Sequence, residues 1–410
     1  MRNYVPMLCG IVLSLGLATL HVPVAHGKSV HEETTSMAAW IMALKDSDAQ
    51  QRKRAANAIG RMAHGSVARQ AAPALLKTLK DPDQGVRHEA TLALSTMLRR
   101  LGPDGAMAIA PLVSLLADPA DDIRVSAAML LGAVSWDRRH AGVAVPALIT
   151  ALKDPYDHVR EAAAKTLHQL DSAAAPAAPV LASLLRDPNT QVRSEAGDTL
   201  MRMGANAASA VPTLLRLLED PDEHVKSQAA WALGVVGGHA PETLPALRKA
   251  LRDRSHLVRD HAAHGIVCYA VGPSVGGSMA MGAMLEEWAI SNVSWPNAAA
   301  KARLGLTLST RVIATVPDLT TALSTTTDSG ILVGVAMMLG LIGPASAPAV
   351  PTLASLLKHP DEHIRMAAVW ALGGIGAHEA AVGSALETAQ HDASVAVQRI
   401  ARAALTHVQQ

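Results

Sequence analysis

Val211-Pro212-Thr213-Leu214, Leu217-Leu218, Asp220-Pro221-Asp222, Val225-Lys226, Ala229-Ala230 and Ala232-Leu233-Gly234 form the stretch whose reading decides the fold. A proline near its head is tolerated in the first turn of a helix, where the missing N–H has no partner to lose. Asp220-Pro221 reads as the break between two helices, with the Asp side chain capping the second helix and the Pro at its first position. Counted from Asp220 as zero, apolar or small residues at +5, +9, +12, +13 and +16 share one face of a 3.6-residue period. A helical hairpin with such a stripe cannot bury it alone.

The rest of the chain supplies neighbours. Equivalent positions fall at Asp46, Asp81, Asp118, Asp154, Asp187, Asp220, Asp253, Ser291, Thr326, His359 and Asp392, in steps of 33 to 38 residues. Steps so short and regular describe one supersecondary unit each, not independent domains. Pro73, Pro111, Pro146, Pro179, Pro245, Pro317 and Pro351 recur near the head of the first helix. The sequence therefore predicts an all-α solenoid of about eleven two-helix repeats, each burying its stripe against the next.

The pattern P-x-L, L-x-D-P-D, V-R and A-A-x-A-L-G resembles the HEAT repeat, in the short form named after phycobilisome-lyase HEAT-like proteins. The resemblance implies a right-handed, armadillo-like helical solenoid whose second helices line a concave surface used for partners. It is close over 36–269 and good over 326–410. Over 270–325 it is poor: Ser291 and Thr326 replace Asp, and Pro296-Asn297 stands where Val-Arg is expected. That stretch is expected to be a degenerate repeat, with an inserted flap as the alternative. Bilin lyase activity, implied by some relatives, is disfavoured by an apparent export leader and the lack of a reactive cysteine.

Composition agrees with a helical protein. Half of the 410 residues are hydrophobic and 17% are charged, with a net charge of +1, which excludes disorder and removes the electrostatic ground for a nucleic-acid partner. Six Trp, three Tyr and no Phe leave the core to Ala, Leu, Val, Ile and sixteen Met. Alanine in such quantity favours helices over strands.

Residues 1–27 read as a signal peptide: Arg2 precedes an apolar run from Val5 to Leu20, and Ala25-His26-Gly27 closes it with a small-x-small pattern. The mature chain is then expected to be periplasmic or extracellular and monomeric; a retained leader would anchor it instead. Cys9 precedes the apolar run, which is a poor lipid-attachment context. Without the leader Cys268 is the single cysteine, set among Ile266, Val267 and Tyr269, and is expected to be buried and inert. The organisation expected is a leader over 1–27, repeats over 28–269, the poorly matching region over 270–325 and repeats again over 326–410.

A basic residue at +6 (Arg52, Arg87, Arg124, Arg160, Arg193, Lys226, Arg259 and Arg365) is expected to pair with the Asp row as a structural ladder rather than bind phosphate. The candidate binding surface is the stripe at +4, +7, +8 and +11, opposite the core face. It begins polar with Lys53, Arg54, Asn57, His88 and Glu89, and continues with Glu161, Lys165, Glu195 and Asp198. After Gln228, Trp231, Asp260, His261 and His264 it turns apolar, with Val333, Gly334, Met337, Met366 and Trp370. An exposed apolar patch marks a contact, so Val333, Met337, Met366 and Trp370 are expected to take a hydrophobic or amphipathic peptide. Trp231 with Glu161, Glu195 and Asp198 is expected to select a basic flank. The competing expectation is that the last repeats bury those apolar residues.

Two constellations point to metal. Arg87-His88-Glu89-Ala90 resembles the His-Glu pair of deoxyhypusine hydroxylase, a HEAT-like di-iron enzyme, but His31-Glu32 and His378-Glu379 lie off the repeat position and do not complete such a centre. Asp260, His261 and His264 bring two imidazoles to one helix face at i and i+3, an incomplete site by itself. No phosphate loop, G-x-S-x-G or C-x-x-C motif is present. The expectation is a non-catalytic scaffold without cofactor that binds a protein or peptide, with a metal-dependent enzyme as the alternative.

Overall fold

A computed structural model describes residues 30–62, 65–134, 138–238, 240–271, 295, 310–376 and 380–409. The leader, Ser291, Pro296-Asn297 and His378-Glu379 lie outside them. Among the described residues the regular structure is all helical, in ten hairpins that run from Val30–Ala43 with Ala49–Met62 to Ala380–Ala389 with Val395–Gln409. Second helices pack against second helices and first against first, so the chain builds two layers. One apolar core extends from Met37 to Ala404, as a stack of units that cannot bury their stripes singly requires.

The turn between helices differs from the sequence expectation. The second helix starts three residues after the phase Asp, at Gln84, Thr190 and Glu223. Its cap is the residue at +2: Asp83, Asn189, Asp222, Asp328 and Asp361 are extended and accept from backbone N–H groups of the first turn. The proline therefore sits in the turn, not at the first helical position. The reason lies in the residue before it, which proline drives out of the helical region; Asp187 has φ −63 and ψ 140. In that conformation the phase Asp accepts from the N–H two residues on, as Asp81 does from Asp83 at 2.9 Å and Asp220 from Asp222 at 3.0 Å.

Its other task is the ladder, which spans units. Arg52 holds Asp81 through Nε at 2.7 Å and Nη2 at 2.8 Å, and Arg124 holds Asp154 in the same way. Arg160 with Asp187 and Arg365 with Asp392 repeat the two-pronged contact, and Lys226 reaches Asp253 at 2.6 Å. Each Arg also donates Nη1 to the carbonyl of its own unit's phase residue, as Arg160 does to Asp154. Arg87 instead takes Asp122, leaving Asp118 to Lys80, and Asp220 is held by Arg186. Burial acts to raise the Asp81 and Asp154 carboxyls, but the arginine and backbone hydrogen bonds and the arginine charges outweigh it and hold both below the ordinary value.

Second helices commonly end at a residue with positive φ, 17 positions beyond the phase residue in several units: Gly204 at 51°, Gly343 at 79° and Gly376 at 92°. The same position in the Asp154 unit is Asp171, at φ 49°, so a side chain stands where the backbone favours glycine.

Arg248 of the Asp253 unit reaches Asp318 at 2.6 Å, Arg259 donates to the Thr325 carbonyl at 3.1 Å, and Asp260 accepts from the Thr326 hydroxyl and from Thr327 N–H at 3.0 Å. The Asp253 unit therefore stacks directly on the hairpin Val316–Thr325 and Ser329–Ile342, with no layer between. Ten units are described, and the position expected for a further one, phased on Ser291, lies outside the described residues.

Candidate functional site

The exposed face of the second-helix layer carries the +4, +7, +8, +11 stripe, and +14 lies on the same side by the 100° step. Its first section is apolar in a way the sequence reading overlooked. Leu92 and Met129, both at +11 in successive units, are 50% and 57% exposed. Large aliphatic side chains left in water at one position of neighbouring helices are a contact surface. The signal was available: both are apolar at a phase that is Asn57 before them and Lys165 after them.

The acidic section follows. Lys165 Nζ lies 2.5 Å from Glu161 Oε1 within its own helix and 3.6 Å from Glu195 Oε1 on the next. The hydrogen bond from Lys165 keeps the Glu161 carboxyl below its ordinary range, and the same bond raises the lysine. Asp198 remains open to solvent, yet crowding by the protein around its carboxyl raises its pKa, with His168 acting in opposition. Glu161 and Glu195 thus share the Lys165 ammonium, His158 Nδ1 also lies 3.5 Å from Glu161, and Asp198 stands exposed one turn beyond Glu195.

Beyond it, Gln228 Oε1 and Trp231 Nε1, three residues apart on one helix, are both buried without a hydrogen-bond partner, and so is His168 Nδ1 at +14. Buried polar atoms are nearly always paired in folded proteins.

The apolar section expected at the far end is overturned. Val333, Met337, Met366 and Trp370 are 6%, 1%, 6% and 0% exposed, so they are core. Two causes act together. Glycines let the helices approach: a Cβ on Gly340 would meet Trp370 and Ala371, and one on Gly374 would meet the Gly340 backbone. Trp295 then lies over the result, donating Nε1 to the Trp370 carbonyl at 2.8 Å and stacking between Trp370, at 6.2 Å, and His407, at 4.6 Å between centroids. The competing expectation of burial is the one the structure supports, by a covering residue from within 270–325.

The metal candidates do not converge. His88 is exposed and Glu89 accepts from Asn57 Nδ2 at 3.0 Å. Asp260 is 6% exposed and its carboxylate is taken up by Thr326 and Thr327. His261 Nδ1 donates to the Leu257 carbonyl at 2.9 Å. His264 is buried with its ring edge-on to Trp231 at 5.5 Å, and burial lowers its pKa to about 4, so it is neutral at physiological pH. Among the described residues no three His, Cys, Asp or Glu side chains gather as a metal site. Cys268 is buried, as expected.

Two layers of stacked helical hairpins sharing one core and presenting one continuous side-chain stripe define an α-solenoid scaffold. The chain matches the family model for HEAT repeats over 37–132, 109–201, 178–266 and 309–406, and it belongs to that family. The matches pause between 266 and 309. Among solved structures it is similar to an engineered protein from the Northeast Structural Genomics Consortium, with TM-score 0.46 and 22% identity over 91% of this chain and 99% of that one. A designed armadillo repeat protein gives TM-score 0.36 and 19% identity over 49% and 99%. A second, in complex with the peptide (KR)4, gives TM-score 0.36 and 22% identity over 48% and 99%. No curated protein matches the chain.

Proposed function

We propose that the chain is a non-catalytic, exported HEAT-repeat scaffold that binds a protein or peptide on its second-helix face, between the Asp81 and Asp220 units. The single observation that carries this reading is the coincidence on one stripe of exposed Leu92 and Met129, the Glu161, Glu195 and Asp198 carboxylates, and half-buried Trp231. Each is a cost in the isolated chain that a ligand relieves. Export rests on the apolar leader and its small-x-small end. The absence of a grouped metal-binding set among the described residues turns His88, Glu89, Asp260, His261 and His264 into surface or structural residues in this reading.

The test is a photo-crosslinking scan of the full chain expressed with its leader. A crosslinker at Met129, Asp198 or Trp231 is expected to trap one and the same partner, whereas positions on the first-helix layer such as Arg69 or Arg216 trap none. A partner trapped equally from both layers, or from first helices alone, overturns the assignment of the face.

A further inference from the structure

The stripe is not uniform, and its sequence of chemistries has a direction. Leu92 and Met129 stand at one end, exposed and aliphatic. The Glu161, Glu195 and Asp198 carboxylates come next, and half-buried Trp231 last. Lys165 is the odd member. It is half exposed, on a face that is otherwise acidic there, and it reaches across from its own helix to a carboxylate of the next unit. A cation seated between two carboxylates occupies the place that a basic side chain of a ligand would take.

Resting on the reading of this face as the binding surface, we infer that it takes an extended peptide carrying an aliphatic and a basic residue at a fixed separation, and that Lys165 is an internal stand-in which the basic residue displaces. The spacing follows from the layers. Stacked helices lie about 9 Å apart and an extended chain advances about 3.3 Å per residue. Met129 and the midpoint of the Glu161 and Glu195 row are about one and a half layers apart, so the aliphatic and basic residues of the ligand are separated by about four residues. Glu161 and Glu195 share one lysine, which leaves charge for a guanidinium or ammonium, and exposed Asp198 on the same helix as Glu195 adds to it.

The experiment uses the full exported chain and labelled synthetic peptides of about twelve residues, read by fluorescence anisotropy. One carries two leucines and, about four residues later, two arginines in a Gly/Ser background; others shorten the gap to about one residue or replace Arg by Glu. A Leu/Arg peptide with the gap of about four residues is expected to bind at least about tenfold more tightly than the short-gap peptide, with the Glu peptide silent. Lys165→Met is expected to tighten the Arg peptide several-fold and leave thermal unfolding unchanged, whereas Asp198→Asn and Leu92→Asp weaken it. Binding indifferent to the gap, or weakened by Lys165→Met, overturns this inference while leaving the face as a docking surface. No binding by any peptide to wild type or Lys165→Met also overturns it, and the crosslinking scan then decides separately whether the face binds at all.

Discussion

Replacing Trp370 by Ala separates a core residue from a docking residue. The indole has no exposed surface, rests where Gly340 has no side chain, and carries Trp295 stacked on its outer side. Truncating a fully buried Trp costs about 3–5 kcal/mol, the upper part applying where the site cannot collapse. Collapse is opposed here, because the glycine beneath offers no atoms to fill the space and the Trp295 hydrogen bond is to the main chain, which stays put. Loss of the ring pair removes about a further 1 kcal/mol. A loss of about 4 kcal/mol is therefore expected, confined to the units near the carboxyl end because a solenoid unfolds by neighbouring units. Urea unfolding followed by far-UV circular dichroism and tryptophan fluorescence reads it as an early transition split from the main one. Trp370→Phe, which keeps a ring, is expected to lose less than half as much. A change below about 1 kcal/mol with an unsplit transition would refute the burial argument and return Trp370 to the surface.

Other consequences can be checked by the same means. Gly234→Ala brings a Cβ onto the Gly265 backbone, so it is expected to destabilise by about 2 kcal/mol where helix propensity alone would stabilise by about 1 kcal/mol; the sign of the shift in urea midpoint decides. Asp171→Gly relieves a side chain at φ 49° and is expected to add about 1 kcal/mol in the same assay. Arg160→Ala leaves Asp187 buried without its guanidinium and is expected to cost about 3 kcal/mol. Stability against pH should fall in two windows. His264 is lowered from 6.5 to about 4, so the unfolded chain binds the proton first and stability declines by about 3 kcal/mol as pH falls from about 6.5 to 4. Asp81, Asp154, Asp253 and Asp392 are held below their ordinary values, so their contribution is present above about pH 4 and lost below it. His264→Leu should erase the upper window and spare the lower.

The architecture was legible because its determinants are local and repeated. The Asp-Pro turn, the leading prolines and the apolar positions each recur with the period of the unit, and the ladder follows from Arg at +6 facing Asp in the next unit. The true cap at +2 was less legible, since Asp220 and Asp222 both suit that role and only the extended backbone before proline selects between them. The site was half legible. Glu161, Glu195, Asp198 and Trp231 follow from phase alone, but exposure at +7 and +11 also depends on how closely the helices approach. That is set by Gly234, Gly340 and Gly374 and by Trp295, which is remote in sequence from the residues it covers. No periodic argument places Trp295 on Trp370, and phase alone did not choose between a docking face and burial for Val333, Met337, Met366 and Trp370. Stacking of the Asp253 unit on the Thr326 unit was hidden in the same way, because Thr326 accepts the contact role through a hydroxyl instead of a carboxylate.

The claim at the centre is that the second-helix face between the Asp81 and Asp220 units is where the partner sits. It is tested most directly by the affinity of the partner trapped in the crosslinking scan for the wild-type chain and for Leu92→Asp with Met129→Asp, whose exposed positions leave folding stability within about 0.5 kcal/mol. A loss of affinity of about thirtyfold or more at unchanged thermal unfolding is the result predicted for two anchor residues. An affinity within about threefold of wild type, with the double variant folded, would contradict it.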